Sequence, residues 1–426
     1  MHARRPPRVM VSITLPDGRR LAGSRAREAR PVVPPLPWWS AGPGRSRAPT
    51  REPTMPHDAD DRAFAVEEVR PPTAAGAAGW DDFVALTDVV NRAQSHDLGH
   101  DAFVWLPQEL IADYADVAHV RKRLYAARVD GRIVGRGLLT TWLNDPTTSD
   151  VAVSVLPEHR RQGIGRALRE RVERIALEEG CRTLMGFTMH RAEANGTPIP
   201  SPTGIGAVGA DDPSSRFVVD AGYRLGQTAR TSALDTVAAA PTLAAHLADA
   251  RRAAGDAYRV VSWVDATPEH LLDDLAVLHT RMSTDTPQGD LPQAEDAWDA
   301  DRIRQAEARR ASAGRTGLTT AVEHVATGRL VGFTEIAVSP SGRRSDGHAY
   351  TYQQDTLVLA EHRGHRLGML LKVENLRLLA REAPEADRVV TWNADENRPM
   401  LAVNEALGFR HVGTSGSWLR EVDAAR

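Results

Sequence analysis

Cysteine and lysine are nearly absent from this chain of 426 residues: Cys181 is its one thiol, and Lys122 and Lys372 are its only lysines. A single cysteine cannot close an internal disulfide, and with no second thiol it gives no basis for a cysteine-rich structural zinc site. A reducing, cytoplasmic setting is the expectation. Long apolar runs are missing as well. No stretch approaches the roughly 18 apolar residues of a membrane-spanning helix, so no membrane partner is expected. The formal net charge of −3 gives no whole-chain case for binding nucleic acid. Two phosphate motifs are also lacking: there is no G-x-x-x-x-G-K-[ST], and no complete G-x-G-x-x-G opens a βαβ unit.

What is present is an ordinary globular composition, 42% hydrophobic and 26% charged, on a chain long enough for two domains. Residues 1–60 differ from the rest. Arginines such as Arg4, Arg5, Arg8, Arg19 and Arg20 alternate with prolines and show no periodicity, so this segment is expected to be a disordered tail. Met55 offers an alternative start just before the first patterned segment.

From Phe64 onward the chain repeats itself. Val129-Asp130-Gly131-Arg132-Ile133-Val134-Gly135 returns as Ala326-Thr327-Gly328-Arg329-Leu330-Val331-Gly332, each reading as a hairpin around a tight turn. Leu156-Pro157-Glu158-His159-Arg160 returns as Leu359-Ala360-Glu361-His362-Arg363, and Ala221-Gly222-Tyr223-Arg224 as Leu407-Gly408-Phe409-Arg410. Order is kept while loop lengths drift, which is the mark of a duplicated domain. The expected boundaries are 61–236 for the first copy, 237–257 for a helical linker and 258–426 for the second copy.

Each copy predicts the same elements: a strand, a helical segment, a second helical region, the hairpin, a strand running into a helix, another strand, a helix and a final strand pair. Ile164, Leu168, Val172, Ile175 and Ala176 give the first copy's central helix its spacing. Residues 190–213 read as a loop inserted in the first copy, with Gly204-Ile205-Gly206-Ala207-Val208-Gly209 as flexible linker.

Chemistry gathers where the strand ending at Val155 turns into a helix through Arg160-Arg161-Gln162-Gly163-Ile164-Gly165-Arg166-Ala167. Free amides at a helix N-terminus make an anion site, and glycines let a phosphate approach the main chain. Arginines there add charge-assisted donors. The second copy's version is Arg363-Gly364-His365-Arg366-Leu367-Gly368, with Arg366 in place of the first glycine.

The phrase Arg160 to Gly165 resembles the [QR]-x-x-G-x-[GA] signature of the GCN5-related N-acetyltransferase (GNAT) family. The resemblance covers both halves, most of residues 62–424, and is similar to the two-copy architecture of mycothiol synthase. It implies an α/β fold of two tandem GNAT-type domains, each a mixed central sheet flanked by helices. It implies acetyl-CoA as co-substrate, a small-molecule or peptide amine as acceptor, and no metal. Val153, Ser154 and Val155 would lie along the pantetheine arm and residues 160–167 would hold the pyrophosphate. Thr356, Leu357 and Val358, with residues 363–368, are their counterparts. Asn397 and Asn404 resemble the family's segment that closes over the cofactor. The intact glycines favour the first copy for pyrophosphate binding.

Many members of that family use a tyrosine as general acid where this chain has Val218 and Asn404. The candidates for proton transfer are Asp150 and Asp355, near the start of the strands that lead to the turns, with Tyr352 close by. The amide of Val155 or Val358 is a candidate donor to the thioester oxygen. Cys181 reads as a buried inert thiol. His96, His100, His362 and His365 read as surface residues, with metal binding the rival. Loss of the tyrosine in both copies keeps open a catalytically silent acyl-CoA-binding or assembly module.

Overall fold

The hairpins predicted at Asp130-Gly131 and Thr327-Gly328 anchor the architecture. A computed structural model describes residues 63–114, 120–143, 145–292 and 295–422. The expected tail, residues 1–60, lies outside the described residues. In the first copy, β1 (Ala65–Val69) leads to α1 (Trp80–Leu98), α2 (Pro107–Ile111), the hairpin strands β2 (Val120–Val129) and β3 (Arg132–Trp142), then β4 (Thr148–Val155), α3 (Ile164–Glu178) and β5 (Thr183–Arg191). The inserted stretch holds β6 (Pro198–Pro200) and β7 (Ala207–Gly209), followed by α4 (Pro213–Val219) and β8 (Arg224–Asp235). Helix α5 (Thr236–Ala254) connects to the second copy. There β9 (Tyr258–Val264), α6 (Leu272–Asp285), α7 (Ala300–Ser312), β10 (Thr316–His324) and β11 (Arg329–Arg343) precede β12 (Ala349–Val358), α8 (Leu367–Glu382), β13 (Arg388–Ala394), α9 (Arg398–Leu407) and β14 (Arg410–Glu421).

Asp130 and Gly131 both take positive φ, 47° and 76°, as a two-residue hairpin turn demands. The run from Gly204 to Gly209, expected to be flexible linker, instead ends in β7, which pairs antiparallel with β6.

The described strands form one twelve-stranded sheet in the order β1-β2-β3-β4-β5-β14-β8-β13-β12-β11-β10-β9, beside the small β6-β7 pair. The final strand pair expected in each copy is therefore corrected. Each copy ends in one strand, and the two ends are exchanged: β14 lies against β5 of the first copy, and β8 lies against β13 of the second. β14 and β8 then pair antiparallel with each other. Without the exchange, β5 and β13 would present open edges in the middle of the molecule, and backbone groups left unpaired there are costly. Trp418 of β14 is fully buried and donates from Nε1 to Thr188 Oγ1 on β5 at 2.7 Å.

Helix α3 is amphipathic, burying Ile164, Leu168, Val172 and Ala176 against the sheet. Helix α8 is buried nearly all round, with Met369, Leu371 and Leu378 buried alongside Leu367 and Leu370, and with Lys372 and Asn375 buried among them. The cause is α5, which packs across α8 and covers its outer side; a helix covered on two sides carries apolar residues on both.

Candidate functional site

In each copy two neighbouring parallel strands part company. β4 pairs with β5 from Thr148–Thr183 to Val151–Gly186 and no further, and β12 pairs with β13 from Tyr350–Arg388 to Tyr352–Val390. Beyond those points β5 is held by β14 and β13 by β8, so a cleft opens along Val153-Ser154-Val155 and along Thr356-Leu357-Val358. Leu156 N–H donates to Val134 O and Leu359 N–H to Val331 O, each at 2.9 Å. Because successive amides of a strand point to opposite sides, the Val155 and Val358 N–H groups turn into the clefts.

At the head of each cleft the chain makes the same turn. Arg161 and Gly163 are left-handed in the first copy, with φ of 64° and 85°; Gly364 and Arg366 are left-handed in the second, with φ of 91° and 54°. Glycine and arginine have traded places, and the backbone course is kept. The leading arginines are held by the protein itself. Arg160 Nε donates to Val155 O at 3.1 Å, and its guanidinium grips Asp97 at 2.6 and 3.1 Å. Arg363 Nε donates to Val358 O at 3.1 Å and its guanidinium reaches Asp285 at 3.5 Å. Arg161, Gln162, Gly163 and Arg166 are exposed on the first turn, as are Gly364, His365 and Arg366 on the second. Ile164, Ala167 and Leu367 are buried beneath and anchor the helices.

The two turns differ at their second glycine position. A Cβ built on Gly165 would lie 3.5 Å from the Phe217 ring and 3.6 Å from Val155; one built on Gly368 meets nothing within 4 Å. In the first copy Thr188, His190 and Asp212 form a closed chain: Thr188 Oγ1 to His190 Nε2 at 2.7 Å, and His190 Nδ1 to Asp212 Oδ2 at 2.8 Å. In the second, Asn404 Nδ2 donates to Asn393 Oδ1 at 2.7 Å, but Asn404 Oδ1, on a residue only 1% exposed, has no hydrogen-bond partner among the described residues. A buried acceptor left open is a cost that a ligand's N–H would relieve. Asn397 caps α9, its side chain accepting from Met400 N–H.

The three candidates for proton transfer are not equivalent. β3 and β4 pair in regular register, with Gly135 facing Val155 and Thr140 facing Asp150. β11 and β12 shift: Thr334 faces Thr356, but Ile336 faces Gln353, so β12 carries an extra residue opposite Glu335. This is a β-bulge, a device that re-aims side chains next to active sites, and Asp355 lies in it. Asp150 therefore corresponds to Tyr352, not to Asp355. Asp150 accepts from Trp142 Nε1 at 3.2 Å, and burial pushes its carboxyl up to about 6. Tyr352 is fully buried, packs its ring against Trp105 at a tilt of 34° and donates its hydroxyl to Ala102 O at 2.8 Å. Its hydroxyl joins the two copies and points to no cleft. Asp355 keeps 26% side-chain exposure; burial and the nearby Glu335 push its carboxyl up to about 7.

Beside Asp355 stand two residues that sequence reasoning missed. His279 of α6 places Nδ1 3.7 Å from Asp355 Oδ2 and Nε2 3.7 Å from Glu335 Oε2. Its ring lies between Trp298 and Phe333, with centroids at 4.7 and 4.6 Å. Glu335 had a signal: it breaks the apolar face that Phe333 and Ala337 define on β11. His279 had none, since a histidine in a helical pattern reads as packing. Among the described residues, His279, Glu335 and Asp355 are the group whose ligand atoms come within 4.8 Å of one another; His96, His100, His362 and His365 form no such set. Cys181 is buried, its thiol 3.1 Å from Thr183 O, and burial raises its pKa. No helix among the described residues is long and apolar enough to cross a membrane.

The cleft, the amide-lined turn and their duplication are those of an acyl-transfer fold. Residues 88–195 match the acetyltransferase (GNAT) family model. Among solved structures, a tandem GNAT protein from the clavulanic acid biosynthesis pathway is similar over 85% of this chain and 100% of its own, at 27% identity and TM-score 0.64. A GCN5-related N-acetyltransferase from Sphaerobacter thermophilus shares the fold over 84% of this chain and 96% of its own, at 14% identity and TM-score 0.51. No curated protein matches. Residues 88–195 thus carry the pattern of the GNAT family, and the chain as a whole is similar to a tandem GNAT protein.

Proposed function

We propose that this protein is an acetyl-CoA-dependent N-acetyltransferase that acts on a primary amine of a small molecule or peptide, with its working site in the second copy. The copies are taken to run over 61–236 and 258–426, joined by α5. The observation that carries the assignment is the contrast at the turn: the approach to Gly368 is open, whereas Phe217 stands over Gly165. Asn404, with its open acceptor, supports the same copy, and the satisfied Thr188-His190-Asp212 chain suits the first copy to a scaffold role. This reverses the preference that the glycines alone suggest, because Arg366 adopts the left-handed conformation that the turn needs.

On this reading the pyrophosphate of acetyl-CoA lies against the amides of residues 363–368, with Arg366 adding charge. The pantetheine arm runs along Thr356, Leu357 and Val358, and Asn404 Oδ1 takes one of its N–H groups. An alkylammonium with a pKa of about 10 must lose a proton before it can attack. Asp355 takes that proton, and the neutral nitrogen attacks the thioester carbon directly. Charge gathering on the thioester oxygen is met by Val358 N–H. The C–S bond breaks, and the CoA thiolate leaves with the second proton of the attacking nitrogen. A cytoplasmic setting belongs to the same proposal.

Calorimetry with acetyl-CoA on the full chain and on Gly163→Trp and Gly368→Trp tests this. Loss of binding with Gly368→Trp alone is expected. Loss with Gly163→Trp alone moves the site to the first copy. Binding that persists with no thiol release against a panel of amines supports a silent acyl-CoA-binding module instead.

A further inference from the structure

We propose that His279 is the residue through which the acceptor's proton leaves Asp355, passing across the imidazole to Glu335. The proposal deepens the reading of the second copy as the working site and rests on it. Three features carry it. The imidazole is bracketed, Nδ1 toward Asp355 and Nε2 toward Glu335, at 3.7 Å on each side. Its plane is held by Trp298 and Phe333, which keeps a ring edge toward each carboxylate. The β12 bulge stands opposite Glu335, and α6 packs over β11 and β12, which brings the three groups together on one face of the sheet. The first copy has Asn91, Leu138 and Ala152 at the matching places and no bulge, so the arrangement belongs to the second copy alone.

The charged groups facing His279 are Glu335 from β11, Asp355 from β12, Arg302 and Arg310 from α7, and Asp296 ahead of α7. Burial is the largest influence and lowers the pKa of His279, so the ring rests neutral and can accept a proton. The step balances. R–NH3+ gives a proton to Asp355; Asp355 returns it to His279 Nδ1 while Nε2–H is given to Glu335. His279 ends as the other neutral tautomer, Asp355 is again ionised and Glu335 is protonated. Glu335 also accepts from Thr319 Oγ1 at 3.0 Å and has Arg310 at 3.7 Å, and its side chain keeps 13% exposure, the route by which the proton passes to solvent. Contacts of 3.7 Å are long for hydrogen bonds, as proton-transfer contacts often are before substrate binds.

The same three residues would suit a cation less well. The imidazole places a different ring nitrogen toward each carboxylate, whereas a histidine binds a metal ion through one nitrogen.

Two measurements on the full chain decide the matter. Histidine-labelled NMR should show the His279 tautomer and titration moving in both Asp355→Asn and Glu335→Gln; an unchanged His279 signal in either variant overturns the relay. Thiol release from acetyl-CoA, with spermidine, glucosamine and a lysine peptide as acceptors, should fall in kcat by about 10²-fold in His279→Gln, with the KM for acetyl-CoA unchanged. The pH dependence should shift, and added imidazole should partly restore His279→Ala. A loss confined to KM overturns the relay. So does submicromolar zinc binding that His279→Gln abolishes, which would make the group a metal site. If no acceptor is turned over by the unmutated chain, the acetyltransferase reading fails, while the NMR result still decides whether the three groups are coupled.

Discussion

Arg366 occupies the N-cap of α8 as Gly163 occupies that of α3, and both are left-handed, with φ of 54° and 85°. An L-residue pays roughly 1–2 kcal/mol for that conformation. Arg366→Gly should therefore stabilise the protein by about 0.5–1 kcal/mol after the added freedom of the unfolded chain is offset. Gly163→Arg should destabilise it by about 1–2 kcal/mol. Urea midpoints of the two variants measure both, and a loss of stability in Arg366→Gly would show that its side chain matters more than its backbone.

Tyr352 joins the copies through Ala102 O. Tyr352→Phe should cost about 1–2 kcal/mol, since it leaves a buried carbonyl unpaired, and should leave kcat for thiol release unchanged. A fall in kcat at unaltered stability would return Tyr352 to the chemistry.

Asp355 should shape stability as well as rate. Its folded pKa of about 7 stands above the ordinary 3.8, so between those values the folded state holds more protons than the unfolded chain. Stability then declines as pH rises through that window. Asp355→Asn should remove the decline, so that its advantage over the unmutated chain is larger at about pH 8 than at about pH 5. Denaturant midpoints at the two pH values check the sign. The rate of thiol release should rise through about pH 7 as Asp355 ionises, and Asp355→Asn should abolish that limb.

The strand exchange predicts one cooperative unit. Trp418 is fully buried in β14 yet bonds to β5 of the first copy, so Trp418→Ala should cost about 3–5 kcal/mol and lower the stability of both copies together. Deleting β14 should unfold both. Hydrogen exchange showing one copy intact after the deletion would contradict a shared core.

Much of this molecule is legible in one dimension because the signals are local. Asp130-Gly131 specifies a turn by its backbone preference, and Ile164, Leu168 and Val172 specify a helix face by spacing alone. The turn after β4 is visible because glycine and arginine next to a helix start are the chemistry themselves. A duplicated order of such signals is enough to determine a tandem α/β architecture and the place of the strand-to-helix turn in each copy.

Tertiary structure decided the rest. Nothing in β14 or β8 says which strand will be its neighbour, since any strand of suitable pattern can cover an open edge; the exchange follows from where both copies leave edges bare. The bulge that separates Asp355 from the place of Asp150 depends on the register with β11, a property of two strands and not of either. The Phe217 ring over Gly165, the open acceptor of Asn404 and the meeting of His279, Glu335 and Asp355 all join residues distant in the chain. The sequence by itself determined two copies and the turn in each; only packing between distant segments decided where the Phe217 ring stands and where His279, Glu335 and Asp355 meet.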